Sequence, residues 1–120
     1  MSAIGAPIPL AQPDIGPREE ELVLEVLHSG MLSLGPMGPR FERAFADWVG
    51  VKYAAAVSSG TAGLHLGLVQ AGIGPGDEVI TSPFSFISSA NCVLHAGADV
   101  RFAEVDPISF NLDPAAVEAA

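Results

Sequence analysis

The segment Ser58–Gly63, with the sequence SSGTAG, contains the residue types of a phosphate-binding loop. A short apolar run precedes it and a helical pattern follows it. Small residues at a helix N-terminus leave backbone N–H groups free, and the helix dipole adds partial positive charge, so an anion is favoured there. Gly60 would let the backbone approach the anion, and the hydroxyls of Ser59 and Thr61 could add hydrogen bonds. An ordinary strand-to-helix turn with a serine or threonine cap has the same pattern, so both interpretations stay open.

Two other kinds of phosphate loop are absent from the sequence. The dinucleotide-binding pattern G-x-G-x-x-G does not occur. The pattern G-x-x-x-x-G-K-[ST] is also missing, because Lys52 is the only lysine and does not follow such a glycine run. A phosphate bound at residues 58–63 would therefore be held in neither of these ways.

A second candidate site is the segment Ser82–Phe86, with the sequence SPFSF, at the carboxyl end of a predicted strand. In parallel sheets, ligands bind outside the carboxyl ends of the strands. An aromatic ring placed there could stack on a planar cofactor. Phe84 and Phe86 could instead be core or lid residues, and the local pattern by itself favours that interpretation.

The composition excludes several classes of function. The chain has 120 residues, of which 49% are hydrophobic and 16% charged, and its formal net charge is −9. This balance predicts a folded domain and, without any basic run, argues against nucleic-acid binding. The single cysteine, Cys92, allows no internal disulfide, and the histidines lack metal-ligand spacing. The N-terminal residues lack the features of a secretory signal, and no apolar run has the length of a membrane span. We therefore expect a cytoplasmic protein without a metal.

The first half of the chain predicts an arm followed by two helices. Residues 1–16 form the arm, which contains several prolines. The first helix starts at Pro17, has acidic residues in its first turn and ends at Ser29-Gly30. A loop over residues 31–39 leads to a second helix, from about Arg40 to Gly50, with one strongly apolar face.

The second half predicts an α/β fold. Its pattern is strand, helix, strand, helix, strand, which favours a parallel sheet. A further helix starts at Asp113-Pro114, but the sequence given ends at Ala120, seven residues after Asp113. Such a short helix is marginal, so we expect the natural chain to continue. The predicted elements are a strand over 53–57, a helix over 61–71, a strand over 78–81, a helix capped by Ser85 and ended by Gly97, and a strand over 100–105.

Taken together, these residues resemble the pyridoxal-phosphate (PLP) dependent sugar aminotransferases of DegT/StrS type. The resemblance extends through nearly the whole chain. Each block alone is unspecific, but the ordered series is specific. The blocks are Ile8-Pro9-Leu10, Ser29-Gly30, Leu34-Gly35-Pro36, Phe41-Glu42, Ser59-Gly60-Thr61-Ala62, Leu64-His65, Gly76-Asp77-Glu78-Val79-Ile80, Pro83-Phe84-Ser85-Phe86, Ser89-Ala90-Asn91, Gly97-Ala98, Val105-Asp106-Pro107 and Asn111-Leu112-Asp113-Pro114.

The resemblance implies a fold and a set of binding residues. Residues 51–120 would begin the large α/β domain of a fold-type-I PLP enzyme, preceded by an arm and two helices over 1–50. Gly60, Thr61 and Ala62 would hold the PLP phosphate through backbone N–H groups and the Thr61 hydroxyl. Phe86 would stack on the pyridine ring. Ser33, in the loop between the two helices, would contribute to the substrate site.

The resemblance also implies an activity. The parent enzyme would transfer an amino group, with glutamate as donor, to a nucleotide-linked keto sugar, and would act as a homodimer. PLP chemistry needs a lysine that forms a Schiff base with the cofactor. Lys52 would lie at the wrong end of its strand, and the family's catalytic lysine follows the matched region. We therefore assign no catalytic residue here and expect these 120 residues alone to be inactive.

Three alternatives to this function stay open. The first keeps the cofactor but changes the reaction, since some members of the wider family are sugar dehydratases in which another residue replaces the lysine. The second is a nucleotide-binding module without catalysis, against which the missing glycine pattern counts. The third is a truncated product without activity.

Overall fold

The computed structural model describes residues 8–120, which form two compact units. One unit ends at Ala56, and the other comprises Val57–Ala120. Residues 8–16 of the predicted arm contain neither helix nor strand, and residues 1–7 lie outside the described part. The assignment of residues 1–50 and 51–120 to separate regions stays a prediction. None of the helices formed by residues 8–120 has the length and apolar character needed to cross a membrane.

The first unit contains two helices, α1 (Pro17–Ser29) and α2 (Met37–Val49). Helix α1 starts and ends where the sequence predicts. Its first turn is closed by Glu19, whose Oε2 accepts the Gly16 N–H at 2.8 Å, and this hydrogen bond is the main reason that the pKa of Glu19 is lowered. Gly30 terminates the helix with φ +68°, a conformation that glycine adopts without strain.

Helix α2 begins at Met37, three residues before the predicted start at Arg40. The prolines of the preceding segment suggested a loop. However, Pro39 is the third residue of the helix, and the first turn needs no N–H donor there, so proline is tolerated. The Arg40 N–H makes the first regular hydrogen bond, to the Pro36 carbonyl at 3.1 Å.

The second unit is an α/β structure, as the sequence predicts. Strands β1 and β2 form a parallel sheet in which Glu78 pairs with Asp99 and Thr81 with Phe102. Helix α4 connects the two strands along the chain, and α3 packs against α4. The elements of this unit are α3 (Gly60–Gln70), β1 (Glu78–Thr81), α4 (Ser88–His95), β2 (Asp99–Phe102) and α5 (Pro114–Ala119).

A small apolar core lies between the helices and the sheet of the second unit. Cys92 and Val93 of α4 and Ala98 are buried, and side chains from the other elements pack against them. The expected burial of Cys92 as a small apolar residue is confirmed. Where α3 and α4 meet, the rings of His65 and His95 are in edge contact, with 5.8 Å between their centroids. The partly buried side chains that pack against this core are Leu68, Ile73, Val79 and Val100.

The predicted strand over residues 53–57 is wrong for the chain as described. The sheet has two strands, and within residues 8–120 no strand pairs with this segment. A strand is defined by hydrogen bonds to a neighbour, and apolar sequence alone does not provide one. One fixed contact is present, because the Glu42 Oε1 accepts the Ala56 N–H at 2.9 Å within the first unit.

Two further boundaries differ from the prediction. Strand β2 ends at Phe102 and not at Val105, because its partner β1 ends at Thr81 and pairing stops there. Val105 instead forms an isolated antiparallel bridge with Leu112. Ser85 does not cap α4, which starts at Ser88, and the Ser85 hydroxyl bonds the Ser89 hydroxyl at 2.8 Å.

Candidate functional site

The N-terminus of α3 is shaped by Ser59. This residue has an extended backbone, with φ −164° and ψ 162°, and it caps the helix. Its Oγ accepts the Ala62 N–H at 3.1 Å, and its carbonyl accepts the Gly63 N–H at 3.1 Å. Two of the N–H groups in the first turn are therefore used within the loop itself.

Gly60 and Thr61 supply the remaining N–H groups of this turn. Among the hydrogen bonds of residues 8–120, none uses the N–H of either residue as donor. A Cβ built on Gly60 meets no atom within 4 Å, so an approaching anion finds open space there. The geometry thus offers two free donors and the hydroxyl of Thr61, which is the arrangement that a phosphate needs.

The electrostatics of this turn come from the backbone. The sequence contains no lysine or arginine between Val57 and Val100. Within residues 57–100, a phosphate at the α3 N-terminus would be attracted by N–H dipoles and the helix dipole, and by no lysine or arginine side chain. The N–H of Ala62, one of the three residues predicted to hold the phosphate, donates to the Ser59 Oγ in this structure. The assignment of all three residues to cofactor binding stays a prediction.

A cavity of about 460 Å³ lies beside this helix, between α3, β1 and α4 of the second unit. Gly63 of the first turn of α3, Thr81 at the carboxyl end of β1 and Ser89 in the first turn of α4 all line it. The structure therefore brings the start of α3 and the end of β1 to one cavity. Sequence reasoning did not single out Thr81 and Ser89 as residues that line one cavity. Their position after a strand and in a first helical turn was the available signal.

The loop Ser82–Phe86 follows β1 at this end of the sheet. Phe86 is 77% exposed, and within residues 8–120 no other aromatic ring stacks on its ring. Phe84 is 66% exposed, so neither phenylalanine belongs to the core of the described chain. An exposed aromatic ring in a loop after a strand is the kind of group that can stack on a planar ligand.

Ser33 belongs to the other unit and stays a predicted substrate residue. It is exposed in the loop between α1 and α2. Its neighbours Leu32 and Leu34 line a cavity of about 480 Å³ together with Glu25 and Glu42 of the two helices. Leu34 is fully exposed and has φ +55°, which is uncommon for a residue with a side chain.

Lys52, the only lysine, is exposed in the first unit. Its Nζ lies 5.0 Å from the centroid of the Tyr53 ring, a cation–π contact. The described residues contain no group of three or more His, Cys, Asp or Glu side chains that could hold a metal ion.

Comparison with known proteins agrees with this geometry. The model of the DegT/DnrJ/EryC1/StrS aminotransferase family matches residues 13–120, nearly the entire chain. The chain belongs to this family. The α/β architecture of the second unit is therefore that of the N-terminal part of a fold-type-I aminotransferase, as the resemblance implied.

Two relatives and one solved structure illustrate the similarity. The chain is 51% identical over 113 residues to the spore coat polysaccharide biosynthesis protein SpsC of Bacillus subtilis, covering 94% of this chain and 29% of SpsC. It is 46% identical over 113 residues to the GDP-perosamine synthase of Caulobacter vibrioides, covering 93% of this chain and 30% of the synthase. Spr1654 of Streptococcus pneumoniae, solved in a PLP form, matches with a TM-score of 0.86 and 31% identity over 94% of this chain and 29% of Spr1654.

The residues present fit the phosphate and the ring of PLP. The free N–H groups of Gly60 and Thr61 and the Thr61 hydroxyl would hold the phosphate, and the exposed face of Phe86 would lie against the pyridine ring. When bound, PLP supplies an electron sink for reactions at the carbon that carries the amino group. The chain's own contribution would be binding and orientation of the cofactor.

Proposed function

We propose that this chain is the cofactor-binding N-terminal portion of a PLP-dependent aminotransferase. Its substrates would be a nucleotide-linked keto sugar and glutamate as amino donor, and the enzyme would be a cytoplasmic homodimer. The chain spans 29–30% of the length of the two relatives, so the activity belongs to the whole protein. The name of the Caulobacter synthase gives a GDP-linked sugar as its product, which supports the sugar class.

The free donors at the start of α3 are the observation that carries this proposal. Gly60 and Thr61 present unused N–H groups at a helix N-terminus, and Gly60 leaves space for the ligand. A hydrogen bond to a charged group contributes about 1.5–3 kcal/mol. Removing one donor should therefore weaken phosphate binding by roughly tenfold or more.

A matched pair of substitutions at Gly60 tests this role. Gly60 is the first residue of α3, where proline is favoured, and the extended Ser59 before it is compatible with a following proline. Gly60→Pro removes the N–H and keeps the helix, whereas Gly60→Ala keeps both. In both variants the new Cβ would have no other atom within 4 Å.

The probe is pyridoxamine phosphate, which has no aldehyde and cannot react with Lys52. Its binding to the chain is followed by its own fluorescence, with pyridoxamine as the ligand without phosphate. We expect Gly60→Ala to bind like the parent chain and Gly60→Pro to bind roughly tenfold more weakly or worse. The phosphate site would be refuted if Gly60→Pro bound pyridoxamine phosphate as tightly as Gly60→Ala does. It would also be refuted if the parent chain bound pyridoxamine as tightly as pyridoxamine phosphate. Far-UV circular dichroism checks that the helix content of Gly60→Pro is retained.

The reaction itself is tested on the complete gene product. Amino transfer from glutamate releases 2-oxoglutarate, so we expect its formation only when a nucleotide-linked keto sugar is present. Failure with every such sugar would remove the substrate assignment. It would leave the phosphate site to be judged by the Gly60 variants.

A further inference from the structure

Phe110 forms an exposed aromatic pair with Phe84 of the loop that carries Phe86. The centroids of the two rings are 5.5 Å apart and their planes are inclined by 32°. Aromatic rings at this separation attract one another beyond the burial of their area. The two residues are 26 positions apart in the sequence, so the pair links two separate loops of the second unit.

The backbone of Phe110 is in an uncommon conformation. Its φ of +59° lies in the left-handed region, which disfavours residues with a side chain. A strained residue persists only when its surroundings fix it. Here the Phe110 N–H donates to the Asp106 carbonyl at 2.8 Å, and the Asp106 N–H donates to the Asn111 carbonyl at 2.9 Å.

The turn that holds Phe110 is built around the carboxylate of Asp106. Its Oδ1 accepts the Ser109 N–H at 2.7 Å and the Ile108 N–H at 3.1 Å. The bridge between Val105 and Leu112 closes the base of the turn. These contacts make the turn a fixed support from which the Phe110 ring projects.

The hydrogen bonds of the loop Ser82–Phe86 join residues close in sequence, and one of them is the bond between the Ser85 and Ser89 hydroxyls at 2.8 Å. The Phe84 N–H donates to the Ser82 hydroxyl at 2.9 Å, and the Phe86 carbonyl accepts the Ser89 N–H at 3.0 Å. All three bonds span at most four residues. The packing of the Phe84 ring on Phe110 ties this loop to a part of the unit that is distant in sequence.

We propose that Phe110 is a positioning residue, whose ring packs on Phe84 and so fixes the loop that presents Phe86. Phe110 itself would touch neither cofactor nor substrate. The role of the Phe86 ring as the face that contacts PLP rests on the proposed function. The packing of Phe110 on Phe84 does not rest on the proposed function.

Three substitutions of Phe110 separate its ring from its backbone. Phe110→Gly relieves the strain at φ +59° but removes the ring. Phe110→Leu keeps apolar bulk without an aromatic face, and Phe110→Tyr keeps the face. Hydrogen exchange of the Phe84 and Ser89 amides, measured by NMR on the chain, reports the opening of the loop and the first turn of α4.

We expect the exchange rate of these two amides to rise between about twofold and tenfold in Phe110→Gly and Phe110→Leu. In Phe110→Tyr the rate should return to that of the parent chain. A role of Phe110 in the turn alone would leave Phe110→Gly unchanged, because glycine suits that backbone. Unchanged exchange in Phe110→Gly, or failure of Phe110→Tyr to restore it, would overturn the proposal.

Binding of pyridoxamine phosphate to the same variants separates this proposal from the proposed function. If the loop loosens in Phe110→Gly and the affinity falls with it, both are supported. If the loop loosens but the parent chain itself does not bind the probe, the cofactor assignment fails and the packing role of Phe110 stands. Thermal unfolding of each variant shows whether the change is confined to the loop.

Discussion

Replacement of Val93 by alanine should destabilise the second unit strongly. Val93 is 1% exposed and lies in the core between α4 and the sheet. The substitution removes two buried methyl groups, which at about 0.8 kcal/mol per carbon is a loss of about 1.6 kcal/mol. The cavity left behind adds to this loss, and the better helix propensity of alanine offsets up to about 0.7 kcal/mol. We expect a net decrease of about 2 kcal/mol in the free energy of unfolding.

Urea unfolding followed by far-UV circular dichroism measures this change. The midpoint should fall while the slope against urea stays constant, because the surface exposed on unfolding hardly changes. Val69→Ala is the matched control, since Val69 lies on α3 and is 51% exposed. That variant should stay within about 0.5 kcal/mol of the parent chain.

Cys92 provides a second measurement, because it is the only cysteine and is 4% exposed. Its labelling by a thiol reagent requires the core to open. A loss of about 2 kcal/mol corresponds to labelling that is roughly 30-fold faster in Val93→Ala. Equal losses in Val93→Ala and Val69→Ala, or a loss below about 0.5 kcal/mol in Val93→Ala, would show that the α4 core does not hold this unit together.

Two further predictions concern titration and the lysine. Hydrogen bonds from the N–H and hydroxyl of Ser109, and from the Ile108 N–H, lower the pKa of Asp106 from its ordinary value of 3.8. The stability that Asp106 contributes should thus be complete above pH 3.8 and be lost as the pH falls through the lowered value. An NMR titration of its carboxyl carbon checks this, and Asp106→Asn should lose that part of the pH dependence. A carboxyl that titrates at or above 3.8 would contradict it. For Lys52, equimolar PLP should give no imine absorbance band with the chain; a band abolished by Lys52→Ala would show that this lysine bonds the cofactor.

Local signals in the sequence predicted most helix ends. Pro17 and Gly30 bound α1 as expected, and Asp113 caps α5 by accepting the Ala115 N–H at 2.9 Å. These ends depend on residues within one helical turn, so the sequence contains the full information. The start of α2 at Met37 was missed because prolines in a first turn look the same as prolines in a loop.

The candidate site was predictable in part. The SSGTAG segment indicated a helix N-terminus with free donors, which is where Gly60 and Thr61 lie. The sequence did not show that the Ala62 N–H is used by Ser59. Nor did it show that Thr81 and Ser89 line one cavity, because that depends on the packing of α3, β1 and α4.

The sequence by itself determined the helices, the α/β pattern of the second unit and the family of the chain. Only the tertiary structure decided which apolar runs become strands, and it left residues 53–57 unpaired within the described chain while β1 paired with β2. It also brought Phe110 onto Phe84 across 26 positions. The physical reason is the range of the interactions. Helical hydrogen bonds join neighbours in sequence, whereas strand pairing and ring packing join residues whose proximity exists only in the folded chain.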